Sequence, residues 1–491
     1  MNTPGVYIQE NSNFPQQIAQ VETAIPAFIG YTETYLYKKK SFRNIPTLIK
    51  SMAEFRTIFG LRSETKFDLV KVANTKSADV SIRDRHFKLS SDTPSFQLYQ
   101  SMEMFFLNGG GSCYIVSVGN YEDGIDEAEL LAGIESLVKQ PEPTLLVIPD
   151  AVSLQADDCQ LVQEQMLIHC GSTMKNRFAI LDVHNGFEKL SRTRSINKFR
   201  ELSTEIGGSY AAAYYPWINT TLLEDTDINF THLTSASRNI LQKLIQDQLQ
   251  IDEPRTAKLI DAITSADDAS LTVREVDKAI RAISPDYLAI VSAIKNMLNL
   301  LPPSSAVAGL YTLTDNAEGV WKAPAGMSIV GAKSPAFNVS SNEQQDLNVD
   351  INGKSINVIR QFAGEGTLVW GARTLDGNSL DWRYVSVRRT VIMLEQSIMQ
   401  ATKNYVFEPN DANTWLKIRA AVANFLSGMW RRGGLAGTTV DSAFSVQIGL
   451  GETMTNNDIL EGLLRVNVSI ALVRPAEFIV FTVEQKQASS N

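Results

Sequence analysis

The sequence predicts a mixed α/β (α+β) fold in several domains: a central α/β domain that carries a helical insertion, and a separate C-terminal unit. Three observations carry this. Short apolar runs alternate with helical periods between residues 113 and 215. An almost wholly helical block fills 234–301. An amphipathic helix followed by two alternating strands closes the chain, and 357–483 holds four of the six tryptophans (Trp370, Trp382, Trp415, Trp430). With 491 residues, one simple core is too small for the chain, so two or more folded units are expected.

Taken in order, residues 1–22 read as an arm. Pro4-Gly5 is a bend, and Val6-Tyr7-Ile8 is a β-prone run too short to be stable without a sheet edge to join. Residues 24–31 read as a buried strand and 48–59 as a helix closing at Gly60. Residues 61–94 are charged and weakly patterned, and read as a surface excursion. Residues 95–107 form an amphipathic helix, with Leu98 and Met102 on one face, stopped by Asn108 and three glycines. The runs 113–118, 145–148, 178–183 and 210–215 alternate with helices near 126–139, 153–171 and 188–206. Strand–helix repetition of this kind implies a largely parallel sheet covered on both faces. The central domain is thus 23–60 with 95–230, and 231–304 is the helical insertion, ended by Pro302-Pro303.

Residues 305–356 read as linker, loop and strand. Asn352-Gly353 between 347–351 and 356–359 is a strong hairpin signal. The C-terminal core is 357–477. There Asn413 is expected to cap a helix with Trp415, Ile418, Val422, Phe425, Leu426 and Met429 on its apolar face, closed by Gly433-Gly434. Phe444, Val446 and Ile448, and then Leu464, Val466, Val468, Ile470 and Leu472, alternate with mostly polar residues as half-buried strands. The run 478–483 is apolar on both faces and, with the polar tail to 491, makes a terminal strand or arm.

Composition excludes several classes. A net charge of −9 argues against nucleic acid as the partner. No apolar run is long enough to span a bilayer, so no membrane insertion is expected. The start shows no signal-peptide pattern, which points to folding in the cytoplasm. Three cysteines (Cys113, Cys159, Cys170) do not make a disulfide framework and read as buried thiols. His86, His169, His184 and His232 lack zinc spacing, so no metal is expected. Gly353-Lys354-Ser355 is not a phosphate loop, because position 348 is asparagine. Gly364, Gly366 and Gly371 miss the dinucleotide spacing, so no cofactor is expected either.

One enzymatic lead remains. Asp150 and Asp182 sit at the carboxyl ends of expected parallel strands, with His184 nearby, where an α/β enzyme carries its site. The competing reading is helix capping. Lys38-Lys39-Lys40 reads as a solvated cationic loop. Arg431 and Arg432 follow a helix and either complement its dipole or meet an acidic partner surface.

The ordered set Pro4-Gly5-Val6-Tyr7-Ile8-Gln9-Glu10, residues 23–33, Phe106-Leu107-Asn108-Gly109-Gly110, residues 319–325, Val369-Trp370-Gly371-Ala372-Arg373-Thr374-Leu375 with Trp382-Arg383-Tyr384, and Arg474-Pro475-Ala476-Glu477-Phe478 resembles the contractile tail sheath proteins. The nearest likeness is to sheath subunits of extracellular contractile injection systems. The resemblance implies a structural, non-enzymatic subunit whose core is built from the two chain ends. Its copies stack as hexameric rings or a six-start helix around an inner tube protein, between baseplate and terminal cap proteins. It implies assembly in the bacterial cytoplasm into a phage tail-like particle released outside the cell. It makes Val6, Tyr7 and Ile8, and Phe478, Val480 and Thr482, strands donated to neighbouring subunits. Arg431 and Arg432, with Lys417 and Arg419, become the expected inner-tube contact.

Overall fold

The computed structural model describes residues 18–189, 195–249, 254–264 and 272–477. The candidate arm residues Val6, Tyr7, Ile8, Phe478, Val480 and Thr482 lie outside them. The chain divides into a large unit, residues 23–317 with 324–385, and a smaller one, residues 1–22, 318–323 and 386–491.

The large unit is organised by a nine-stranded sheet. Its order is Met327–Ser328, Gly366–Trp370, Ile356–Phe362, Ala211–Tyr215, Phe178–Asp182, Leu145–Val147, Pro26–Thr32, Cys113–Asn120 and Thr47–Ile49. The six strands from Ile356–Phe362 to Cys113–Asn120 are parallel, and four of them are the runs of the strand–helix repetition. Antiparallel strands close both edges. The central strands are buried on both sides, so successive residues serve opposite cores. Ala27, Ile29 and Tyr31 pack with the helices Glu127–Ser136 and Ala156–Ile168. Phe28 packs on the other face with Met52–Phe59, Leu98–Leu107 and Ser304–Ala317.

Several expectations change. Residues 305–317, read as linker, fall in the helix Ser304–Ala317, with ten of fourteen residues buried. Its first nine residues, 304–312, are all buried, so no polar face sets off an apolar stripe there. The Asn352-Gly353 hairpin is not formed. Ser341–Asn348 is a helix, started by a reciprocal Ser340–Glu343 capping box. Gly353, at φ +79°, turns the chain after it. The hairpin lies further on, between Ile356–Phe362 and Gly366–Trp370, and its first strand extends the parallel sheet. Residues 357–385 therefore belong to the large unit. The segment read as a helix from 48 begins as the edge strand Thr47–Ile49, with the helix starting at Met52 behind its cap Ser51.

Residues 61–94 also prove regular. Asp68–Val72, Arg85–Ser90 and Val80–Ile82 form a three-stranded antiparallel sheet. Leu69, Val80, Phe87 and Leu89 share a core with Leu241, Ile245, Ile280 and Ile290 of the helical block. The alternation is short and charged on its outer face, which is why it reads as irregular.

The smaller unit packs the helix Ala412–Arg431 against Met393, Leu394, Leu435, Phe444 and Ile448. Phe444–Gln447 and Asn467–Ile470 pair antiparallel as a two-stranded ribbon. Among the described residues, no third strand joins it.

Candidate assembly surfaces

Two places invite a functional reading: the carboxylates at the sheet's strand ends, and the outer face of the smaller unit.

Asp150 is fully buried. Oδ2 accepts from Tyr31 N at 2.7 Å, and Oδ1 from Gln97 N at 2.5 Å and Leu98 N at 3.2 Å. It caps the Leu98–Leu107 helix and ties it to the end of the Pro26–Thr32 strand. Asp182 accepts from Ser304 N at 2.8 Å and from Ser304 Oγ, fixing the start of the Ser304–Ala317 helix. Burial pushes Asp150 up to about 6 and Asp182 up to about 7; the bonds from main-chain N–H groups, and from the Ser304 hydroxyl to Asp182, oppose the shift. His184 Nε2 lies 3.0 Å from Leu154 O, and burial lowers its pKa. His184 lines a cavity of about 300 Å³ with Cys159, Gln163 and Lys198, whereas neither aspartate lines it. The three residues expected to converge do not. Each carboxylate acts as a helix cap, the competing reading of the sequence.

The helix Ala412–Arg431 is capped by Asp411, which accepts from Thr414 N at 2.9 Å; the expected cap, Asn413, lies inside the first turn. Ile418, Val422, Leu426 and Met429 are buried as expected, with Trp415 and Phe425 partly so. Gly433, at φ +81°, ends the helix. The four candidate cations divide into two pairs. Arg419 ion-pairs with Glu452 and donates to Ile448 O. Arg432 donates to Gln20 Oε1 at 3.0 Å and lies 5.4 Å from the Trp321 ring. These two brace their own unit. Lys417 and Arg431 are exposed and make no ion pair among the described residues. They lie fourteen positions apart, about four turns, and so share a face.

The Phe444–Gln447/Asn467–Ile470 ribbon is the other opening. Phe444 faces Ile470 and Val446 faces Val468, with alternate residues outward. Two strands alone are marginal, and the ribbon's outer edges carry main-chain groups able to take a further strand.

Comparison with known proteins follows this division. Residues 378–486 match the phage tail sheath C-terminal domain. A segment of 135 residues is 27% identical to the tail sheath protein of Enterobacteria phage T4, covering 28% of this chain and 20% of that protein. A similar segment is 28% identical to the tail sheath protein of Vibrio phage KVP40, again 20% of its length. The chain thus spans about a fifth of these curated relatives. Solved structures match almost end to end. A contracted PVC sheath of an extracellular contractile injection system is 26% identical, covering 99% of this chain and 98% of its own, with a TM-score of 0.61. The contracted helical sheath of the anti-feeding prophage is 25% identical, with 99% and 100% covered and a TM-score of 0.60. The anti-feeding prophage baseplate also holds a chain of this kind, at 25% identity and a TM-score of 0.62 in the contracted state. The matched proteins are structural sheath proteins, not enzymes.

Proposed function

We propose that this chain, a member of the tail sheath family, is the structural subunit of a contractile sheath. It polymerises with itself, as hexameric rings or a six-start helix, around an inner tube. It then contracts to drive the tube through a target cell envelope. The observation that carries the reading is the likeness to a contracted PVC sheath over 99% of the chain. The likeness to a chain in the anti-feeding prophage baseplate supports a baseplate partner at one end of the polymer; a terminal cap protein closes the other. Assembly takes place in the bacterial cytoplasm, and the product is an extracellular phage tail-like particle.

The mechanism needs contacts of two kinds. Contacts between subunits must survive contraction, and strand addition meets that demand. Main-chain hydrogen bonds hold while the linkers behind them hinge. Val6, Tyr7 and Ile8 at one end, and Phe478, Val480 and Thr482 at the other, are the donated strands, and the ribbon formed by Phe444–Gln447 and Asn467–Ile470 is their acceptor. Contacts to the tube must break on firing, so they are polar. Lys417 and Arg431, exposed on one helix face, are that contact, while Arg419 and Arg432 hold the helix in place. No nucleotide enters; the work comes from the difference between two packings set at assembly.

Negative-stain electron microscopy of the overexpressed chain, alone and with the inner-tube protein, tests this. Long hollow tubes with a helical pattern are expected. Compact particles under both conditions would overturn the reading.

A further inference from the structure

Leu36–Tyr37 and Lys40–Ser41 pair as a hairpin closed by two residues, Lys38 and Lys39. Both sit at positive φ, +49° and +65°, as a type I′ turn requires. Such turns favour Asn-Gly, because a long side chain at positive φ is strained. Among the described residues this is the only consecutive pair of non-glycine residues in that region. A lysine pair is therefore kept against the local preference, which points to a use for charge at that tip. Lys38 and Lys40 lie beside Tyr37 and Phe42, with Nζ 5.0 and 5.2 Å from the ring centroids. All three lysines are exposed, and none makes an ion pair among the described residues. Leu36, 58% exposed, gives the finger an apolar shoulder.

The complement lies on the same chain. Pro26–Thr32 and Cys113–Asn120 are parallel neighbours, with Thr32 opposite Asn120. The finger follows one strand and the segment 122–129 follows the other, so both leave the sheet at the same end. That segment carries Glu122, Asp123, Asp126, Glu127 and Glu129, five carboxylates in eight residues. Of these five, Glu129 alone is ion-paired among the described residues, to Arg43 at the finger's base. Within one chain, then, three ammoniums and four carboxylates stand at one end of the sheet without pairing to one another.

We propose that the Lys38-Lys39-Lys40 finger of one subunit docks on the acidic 122–129 segment of a second copy of this chain, as a lateral contact in the polymer. The proposal rests on the self-assembly reading above. The chain's net charge of −9 disfavours a polyanion such as nucleic acid or an anionic membrane as the occupant and leaves a protein surface. Complementary exposed charges set register and partner choice and remain sensitive to salt.

Charge reversal in trans tests it. Wild-type tubes come first, and their absence falls on the self-assembly reading alone. Lys38→Glu/Lys39→Glu/Lys40→Glu is one variant. Glu122→Lys/Glu127→Lys is the other, leaving the Asp126 helix cap and the Glu129–Arg43 pair intact. Each alone is expected to raise the critical concentration for assembly about tenfold, read by sedimentation, with unchanged melting of the unassembled subunit. An equimolar mixture of the two is expected to assemble as wild type does, because each finger then finds an opposite charge on its neighbour. Normal assembly of either variant alone would overturn the proposal. So would restoration only when both changes share one chain, which makes the contact internal. Finger-dependent binding to duplex DNA or phosphatidylserine vesicles, with tubes unaffected, would overturn it in favour of a polyanion.

Discussion

The buried carboxylates are structural, and each makes a checkable demand. Asp182 has a folded pKa of about 7, raised from 3.8 by burial. Between those values the folded chain keeps a proton that the unfolded chain releases, so its contribution is fully present below about pH 4 and is lost as pH rises through 7. The Asp182→Asn substitution mimics the protonated form without titrating. We therefore expect the unfolding free energy of wild type minus that of Asp182→Asn, from urea denaturation, to be larger at pH 5 than at pH 8, by a margin on the order of 1–3 kcal/mol. A pH-independent difference would show that the Ser304 bonds outweigh the burial. Asp150 makes a steric demand as well. A side chain at Gly30 would place its Cβ well inside contact distance of Asp150 Oδ2, and 3.1 Å from Leu98 Cβ. The carboxylate is held by three N–H groups and has nowhere to go. Gly30→Ala should cost about 2–4 kcal/mol in subunit stability, measured by urea denaturation; a loss under about 0.5 kcal/mol would mean that the cap can shift.

At the scale of elements, the Ala412–Arg431 helix and the residue after it separate cations tied within their unit from cations left exposed. Arg419 and Arg432 are tied within their unit, whereas Lys417 and Arg431 project. Lys417→Glu with Arg431→Glu should leave subunit melting unchanged and cut the yield of extended particles on the tube about tenfold. Contracted tubes formed without the inner tube should persist. Undiminished extended particles would remove this face from the tube contact. The sequence reveals this helix because one face is buried and one is wet. Its cap lies two positions earlier than expected, since Asp411 and Asn413 are both good caps and only the fold chooses. The same physics explains the larger differences. Residues 304–312 of Ser304–Ala317 are all buried, so no stripe marks them. At Ser340–Glu343 the capping-box pattern is present, but Asn352-Gly353 is a stronger local signal for a hairpin. That turn serves a helix exit instead, because the partner strand for Ile356–Phe362 comes from Ala211–Tyr215, about 140 residues earlier. Pairings over such separations leave no local trace. The parallel strands are legible for the opposite reason. Burial on both faces makes Leu145–Val147, Phe178–Asp182 and Ala211–Tyr215 almost wholly apolar runs.

At the scale of the whole molecule, the chain folds its bulk into closed cores and leaves exposed charge and a two-stranded ribbon outside them. The helix caps and covered sheet faces account for the large unit, and they make it suited to move as a rigid body. The smaller unit keeps a two-stranded ribbon, and the chain's two ends hold β-prone runs, Val6-Tyr7-Ile8 and 478–483, that cannot be stable sheets alone. If, as proposed, each end of the chain serves a neighbour, donor and acceptor cannot close on themselves and the contact propagates as a helical polymer. Removing residues 1–10, or 478–491, should then give a monodisperse subunit with near wild-type melting and no tubes. Substoichiometric truncated subunits should also shorten wild-type tubes, because a subunit without its donor strand can accept a neighbour's strand but donates none onward. Shortening that grows with the truncated fraction, counted by electron microscopy, is the expected outcome. Full-length tubes containing the truncated chain at equal proportion would show that the ends do not link subunits, and the mesh would have to rest on side-chain contacts alone.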